Sequence, residues 1–162
     1  MFIEVLTDGQ LDLVDELAIE IWNEHYVPII GKKQVDYMLE KFQSKKVMKE
    51  QIEKGYIYFL VEDEGRNIGY IGIEPSEDEL FLSKLYLKSS ERGKGFGKKA
   101  VKFLEELAGE KKLGKISLTV NKNNVKSIAA YEKIGFKNTG SIVMDIGGGF
   151  VMDDYKMEKI IL

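Results

Sequence analysis

The stretch ELFLSKLYLKSSERGKGFGKKAVKFLEEL, residues 79–107, decides how the chain is read. It opens on an apolar run, Leu80 to Leu87, of strand length. A short polar link, Lys88 to Glu91, leads to glycines at alternate positions: Gly93, Gly95 and Gly97. Beyond them Ala100, Val101, Leu104, Leu107 and Ala108 fall at the spacing of one helix face. A strand therefore passes through a glycine turn into a helix N-terminus. That geometry leaves backbone N–H groups unpaired at the positive end of the helix dipole, where a phosphate group is stabilised. Arg92, Lys94, Lys98 and Lys99 add positive charge around it.

The glycine spacing separates the phosphate-binding classes. A P-loop needs Gly-Lys followed by Ser or Thr to hold magnesium, and Lys99 occupies that place. A dinucleotide fingerprint needs G-x-G-x-x-G, and here the third glycine comes one residue early. The run Arg92-Gly93-Lys94-Gly95-Phe96-Gly97 instead resembles the R/Q-x-x-G-x-G/A pyrophosphate loop of the GNAT superfamily of N-acetyltransferases.

A second stretch, TVNKNNVKSIAAYEKIGF at 119–136, resembles the same superfamily where a strand ends, an Asn precedes a helix, and a Tyr is followed by a Gly-Phe pair. The matching residues are Asn124, Ser127 (commonly Ala), Tyr131, Gly135 and Phe136. Each also has a purely structural reading: Asn124 as N-cap, Tyr131 as core, Gly135 as C-cap. Both motifs occur in the family's order, about one helix apart, and the resemblance spans most of the chain.

The remaining residues agree in order. Residues 2–6 read as an edge strand. Thr7 and Gln10 have capping-box spacing and open a helix carrying Val14, Leu17, Ala18, Ile21 and Trp22 on one face. That helix ends near His25, since Pro28 disfavours helix at Val27. Val27 to Lys33 reads as an apolar loop, Val35 to Phe42 as a second helix, and Val47 to Lys54 as a third closed by Gly55. Strands follow at Tyr56–Glu62, Ile68–Glu74 and Leu80–Leu87. The alternating glycines of the middle strand predict close approach by a neighbour. After the central helix come a strand at Lys115–Val120, returning parallel, a helix at Val125–Ile134, and a hairpin of Ile142–Asp145 with Val151–Lys159 around Gly147–Gly149. The fold class expected is α/β (α+β): a mixed, mostly antiparallel sheet flanked by helices, with splayed central strands, in a single domain over 1–162.

Composition bounds the function. The chain has 162 residues, 44% of them hydrophobic and 31% charged, which is ordinary for a globular domain. A formal charge of −3 argues against a general nucleic-acid binder. With no cysteine and one histidine, neither a thiolate nor a His-cluster metal site is available, so no metal is expected. No signal segment and no membrane-length apolar run is present, so a cytoplasmic location is expected, with no membrane partner. A homodimer is compatible with the chain, but oligomeric state is not legible in it.

The resemblance implies acetyl-coenzyme A as co-substrate. Its pyrophosphate would lie on the backbone of Arg92, Gly93, Lys94, Gly95, Phe96, Gly97 and Lys98. Its pantetheine arm would bond the backbone of Leu85, Tyr86 and Leu87 and the side chain of Asn124, with Ser127 and Tyr131 alongside. An amine would attack the thioester directly, with a backbone N–H near Leu87 stabilising the oxyanion and Tyr131 protonating the leaving thiolate. A tyrosine near pKa about 10 facing a thiol near about 8.5 makes full transfer mildly uphill, so hydrogen-bond donation is the alternative. His25 is the leading general base; Glu24, Glu79, Lys84 and a water chain are weaker choices.

The layout is similar to bacterial polyamine N-acetyltransferases, and nearly as close to members that acetylate antibiotics, amino acids or protein N-termini. A non-catalytic acyl-coenzyme A binding module and a nucleotide-binding protein are the readings from other classes. A cationic small amine is the acceptor expected. Glu20, Glu24, Glu77, Asp78, Glu79, Asp145, Asp153 and Asp154 lie on segments expected to border the acceptor, while the basic residues cluster at the loop.

Overall fold

The computed structural model describes residues 1–161. Its strands are β1 (Phe2–Glu4), β2 (Ile57–Asp63), β3 (Arg66–Pro75), β4 (Glu79–Leu87), β5 (Lys115–Asn121), β6 (Lys137–Gly147) and β7 (Phe150–Ile160). Its helices are α1 (Asp8–His25), α2 (Val27–Ile30), α3 (Lys32–Phe42), α4 (Lys45–Glu53), α5 (Phe96–Glu110) and α6 (Val125–Ile134). The strands form one seven-stranded sheet in the order β1-β2-β3-β4-β5-β7-β6, a mixed, mostly antiparallel sheet with flanking helices.

The chain divides into two compact units. The first holds Met1–Glu74 and Lys84–Gly97. Here β1 pairs antiparallel with β2, and β2 with β3. α1 begins at the expected capping box: Gln10 N–H donates to Thr7 Oγ1 at 3.2 Å, and Thr7 N–H donates to Gln10 Oε1 at 3.0 Å. The helix buries Leu11, Val14, Leu17, Ala18, Ile21 and Trp22. Tyr58, Leu60, Tyr70 and Ile71 are also buried in this unit. The expected apolar loop after α1 is instead the single-turn helix α2. Pro28 stands at its first turn, where proline's missing N–H costs nothing and its fixed φ favours helix. The glycine side of β3 is approached as expected: a Cβ on Gly69 would run into the Tyr86 carbonyl and the Leu87 side chain.

The second unit holds Pro75–Ser83 and the chain from Lys98 on. The β4–β5 ladder is parallel and covers Glu79–Phe81 with Lys115–Ser117. β4 continues to Leu87 and β5 to Asn121 beyond it. β5 pairs antiparallel with β7 along its whole length, and β7 pairs with β6. Leu80, Leu104, Ile116, Leu118 and Met157 are fully buried here. β6 starts at Lys137, five residues before the expected Ile142; its polar first half is held in the ladder by pairing with β7, not by burial.

Candidate active site

In the first unit, β4 ends at Leu87, and a 3-10 turn (Ser89–Glu91) carries the chain into the glycine loop. Gly93 and Gly95 have φ of +76° and +87°, conformations that side chains strain to adopt. Nothing lies within 4 Å of a Cβ built on Gly93, Gly95 or Gly97. The loop is thus uncrowded at its glycines, at the N-terminus of the fifteen-residue α5, where unpaired N–H groups favour a phosphate. Those features fit the pyrophosphate of acetyl-coenzyme A. Arg92, Lys94 and Lys98 are exposed, Phe96 and Gly97 half-buried.

Two of the loop's cations are held by protein groups. Arg92 donates from Nε and Nη2 to the Leu87 carbonyl at 3.3 Å, and its Nη1 lies 2.6 Å from His25 Nδ1. Lys94 Nζ is 3.2 Å from Glu91 Oε2, while Arg66 Nη1 is 3.4 Å from Glu91 Oε1. Glu91 is only 3% exposed, so its carboxylate anchors the loop to the β2–β3 hairpin from beneath. Its role was not legible in sequence, where it reads as one more solvent-facing charge.

The α1 acids are also committed. Glu20 Oε2 is 3.3 Å from Lys88 Nζ, and Glu24 accepts from the Ser89 hydroxyl. They reach the turn before the loop, and both remain exposed. His25 Nδ1 accepts from Arg92, which puts the proton of the neutral ring on Nε2. A base at His25 would have to give up that contact. Tyr26 stacks on Trp22 at 4.2 Å between ring centroids, and Tyr86 meets the Trp22 edge at 5.4 Å. Trp22 is buried, while Tyr26 and Tyr37 are half-buried.

Lys84 is 4% exposed, and burial alone shifts its pKa among the described residues. Its Nζ donates to the Tyr58 hydroxyl, and to Gln51 Oε1 at 3.1 Å. Burial lowers its pKa from 10.5 to about 7. The sequence carried a signal for this, because Lys84 falls in phase with the buried Leu80 and Leu82 along β4. The folded protein binds fewer protons here than the unfolded chain between pH 7 and 10, so stability rises with pH across that window and the penalty is full below it. Lys84→Met removes the penalty and leaves the 2.6 Å Tyr58–Gln51 bond in place. In denaturant titrations the variant is expected to gain about 3 kcal/mol at pH 6, with the gain fading towards pH 10. A gain independent of pH would mean that the amine is solvated.

In the second unit, Asn124, Ser127 and Tyr131 stand at i, i+3 and i+7, on one face of α6. Asn124 is 2% exposed and holds the N-cap position, but its side chain makes no capping bond. The simple capping reading therefore does not account for it. Tyr131 is half-buried, its ring edge-on to Phe136 at 5.4 Å. Gly135 ends the helix at φ 113°, and Phe136 N–H returns to the Tyr131 carbonyl at 3.0 Å.

The acids of this unit are mostly engaged. Asp153 pairs with Lys122 at 2.8 Å, Glu79 lies 3.7 Å from Lys115, and Asp145 accepts from the Gly147 N–H. Asp154 is 1% exposed, and its Oδ1 has no hydrogen-bond partner among the described residues. Burial pushes its carboxyl up to about 6, against a lowering hydrogen bond from Thr119. Among the described residues no group of three or more His, Asp or Glu side chains could hold a metal ion.

The chain matches the model of the acetyltransferase (GNAT) family over residues 16–136, and it belongs to that family, whose co-substrate is acetyl-coenzyme A. It is 30% identical over 134 residues to a spermine/spermidine N(1)-acetyltransferase of Bacillus subtilis, covering 76% of this chain and 84% of that protein. A spermidine N(1)-acetyltransferase of Thermoplasma acidophilum is 26% identical over 166 residues, with 98% of both chains covered. The fold is shared with the crystal structure of a PaiA N-acetyltransferase from Thermoplasma acidophilum in complex with coenzyme A, at a TM-score of 0.76, 22% identity and 99% coverage of both chains.

Proposed function

We propose that this acetyl-coenzyme A-dependent N-acetyltransferase acts on a small primary amine of the polyamine class, as a single domain in the cytoplasm. The observation that carries the coenzyme site is the open glycine loop at the head of α5. The N–H groups of residues 92–97 receive the pyrophosphate. The backbone of Leu85 to Leu87 and the side chain of Asn124 bond the pantetheine arm, with Ser127 small enough to let it pass. The amine attacks the thioester carbon, the oxyanion forms against a backbone N–H near Leu87, and the C–S bond breaks as Tyr131 donates a hydrogen bond or proton to sulfur. The ammonium of the acceptor loses its proton through a water chain, with Lys84, whose pKa burial lowers to about 7, as the side-chain alternative and His25 Nδ1 already accepting from Arg92. No helix among the described residues is long and apolar enough to cross a membrane, in keeping with that location.

The acceptor class rests on the polyamine acetyltransferases among the relatives. Net charge supports it: the chain is −3 overall, and Asp78 and Glu77 are exposed. A panel of amines read by thiol release tests the class. The KM for spermidine is expected to rise several-fold from low to high salt, because attraction to a polycation is screened within about 8 Å at physiological ionic strength. An anionic amino acid turning over while spermidine fails would remove polyamines from the reading.

Dimerisation belongs to the same proposal. β6 is an edge strand exposing Ile142, Val143 and Met144, a surface suited to a second copy. Light scattering decides it.

A further inference from the structure

We propose that the C-terminal turns of α1 are a brace for the coenzyme loop, in which His25 is a positioning residue acting through Arg92. This rests on the reading of residues 92–97 as the pyrophosphate site. Three side chains within two turns of α1 reach the short segment that delivers the loop: Glu20 to Lys88, Glu24 to Ser89, and His25 to Arg92. The last differs in kind from the other two. Arg92 is the first residue of the glycine motif, and its guanidinium is shared between His25 Nδ1 and the Leu87 carbonyl at the end of β4. One planar cation therefore fixes the chain on both sides of the 3-10 turn, and the imidazole fixes the cation.

The imidazole is itself held. His25 packs edge-on against Tyr26 at 4.7 Å between centroids, and Tyr26 stacks on the buried Trp22. A line of rings thus runs from the core of α1 to Arg92. The loop glycines have no side chains to restrain them, and Gly93 and Gly95 adopt left-handed φ values. A loop so free loses binding energy to ordering unless its entry is fixed. The brace supplies that fixation before the coenzyme arrives.

This role makes a different forecast from general-base catalysis. His25→Ala is expected to weaken coenzyme A binding, measured by calorimetry, about five- to twenty-fold, and to raise the KM for acetyl-coenzyme A alike. With saturating acetyl-coenzyme A, kcat and its pH profile stay near those of the native chain. His25→Asn places an amide oxygen where Nδ1 stood and cannot take a proton at neutral pH. It is expected to restore the affinity while keeping kcat, and it also guards against a loss of packing in the alanine variant. If His25→Ala binds coenzyme A like the native chain, the brace is wrong. If both variants lose kcat and the acidic limb of its pH profile, His25 is the base. Gly97→Val, run alongside, separates this from failure of the site: should it too bind coenzyme A normally, the pyrophosphate lies elsewhere.

Discussion

Tyr131→Phe is expected to lower kcat by about a hundred-fold while leaving the KM for acetyl-coenzyme A nearly unchanged, the size and pattern of a lost proton donor to the leaving group. The variant keeps what positions the ring. Its edge-on contact with Phe136 involves ring carbons, and Phe136 is itself 2% exposed and fixed by the turn at Gly135. α6 buries none of its residues fully, and Tyr131 is itself only half-buried. Stability is therefore expected to change by less than about 1 kcal/mol, within the range of ordinary substitutions outside the core. The measurement is single-turnover kinetics, where the chemical step is read without product release. A phenylalanine variant with native single-turnover rates would return Tyr131 to a packing role.

Gly97→Val is expected to reduce acetyl-coenzyme A affinity by at least a hundred-fold with the fold intact. The three loop glycines are not equivalent. At Gly93 and Gly95 a side chain would strain a backbone of positive φ, and lost binding could be blamed on a distorted loop. Gly97 has no such φ, sits in the first turn of α5, and would project its Cβ into open space. Valine is a better helix former than glycine, so helix propensity does not penalise the substitution there. What it obstructs is approach to N–H groups that have no partner within the helix. Titration calorimetry paired with a thermal melt separates the two effects. An unchanged melt with normal binding would mean that these N–H groups do not hold the pyrophosphate.

How much of this was legible in sequence follows the range of the forces. The capping box at Thr7 and Gln10, the cap at Gly135 and the switch from strand to helix across Gly93–Gly97 depend on residues a few places apart, and each stands where the pattern put it. Pro28 misled because proline is read as a helix breaker, whereas at a first turn it begins one. The start of β6 was missed because Lys137 to Ser141 carry no apolar alternation; their order comes from pairing with β7. Charge was the least legible property. Glu20, Glu24, His25 and Glu91 look like solvent-facing residues, and their partners, from Lys88 to Lys94 and Arg66, are chosen by the fold. Asp154 gave no warning either, because it falls out of phase with the buried Met157 along β7.

Acetyl transfer to an amine is tested by counting free thiol and acetylated amine in one reaction. With acetyl-coenzyme A and spermidine both products are expected to accumulate in equal amounts, and thiol to stay at background when the amine is left out. Saturable coenzyme binding with no amine-dependent thiol release, across polyamines, amino acids, aminoglycosides and peptide N-termini, would contradict it and leave a module that binds acyl-coenzyme A without transferring the acyl group.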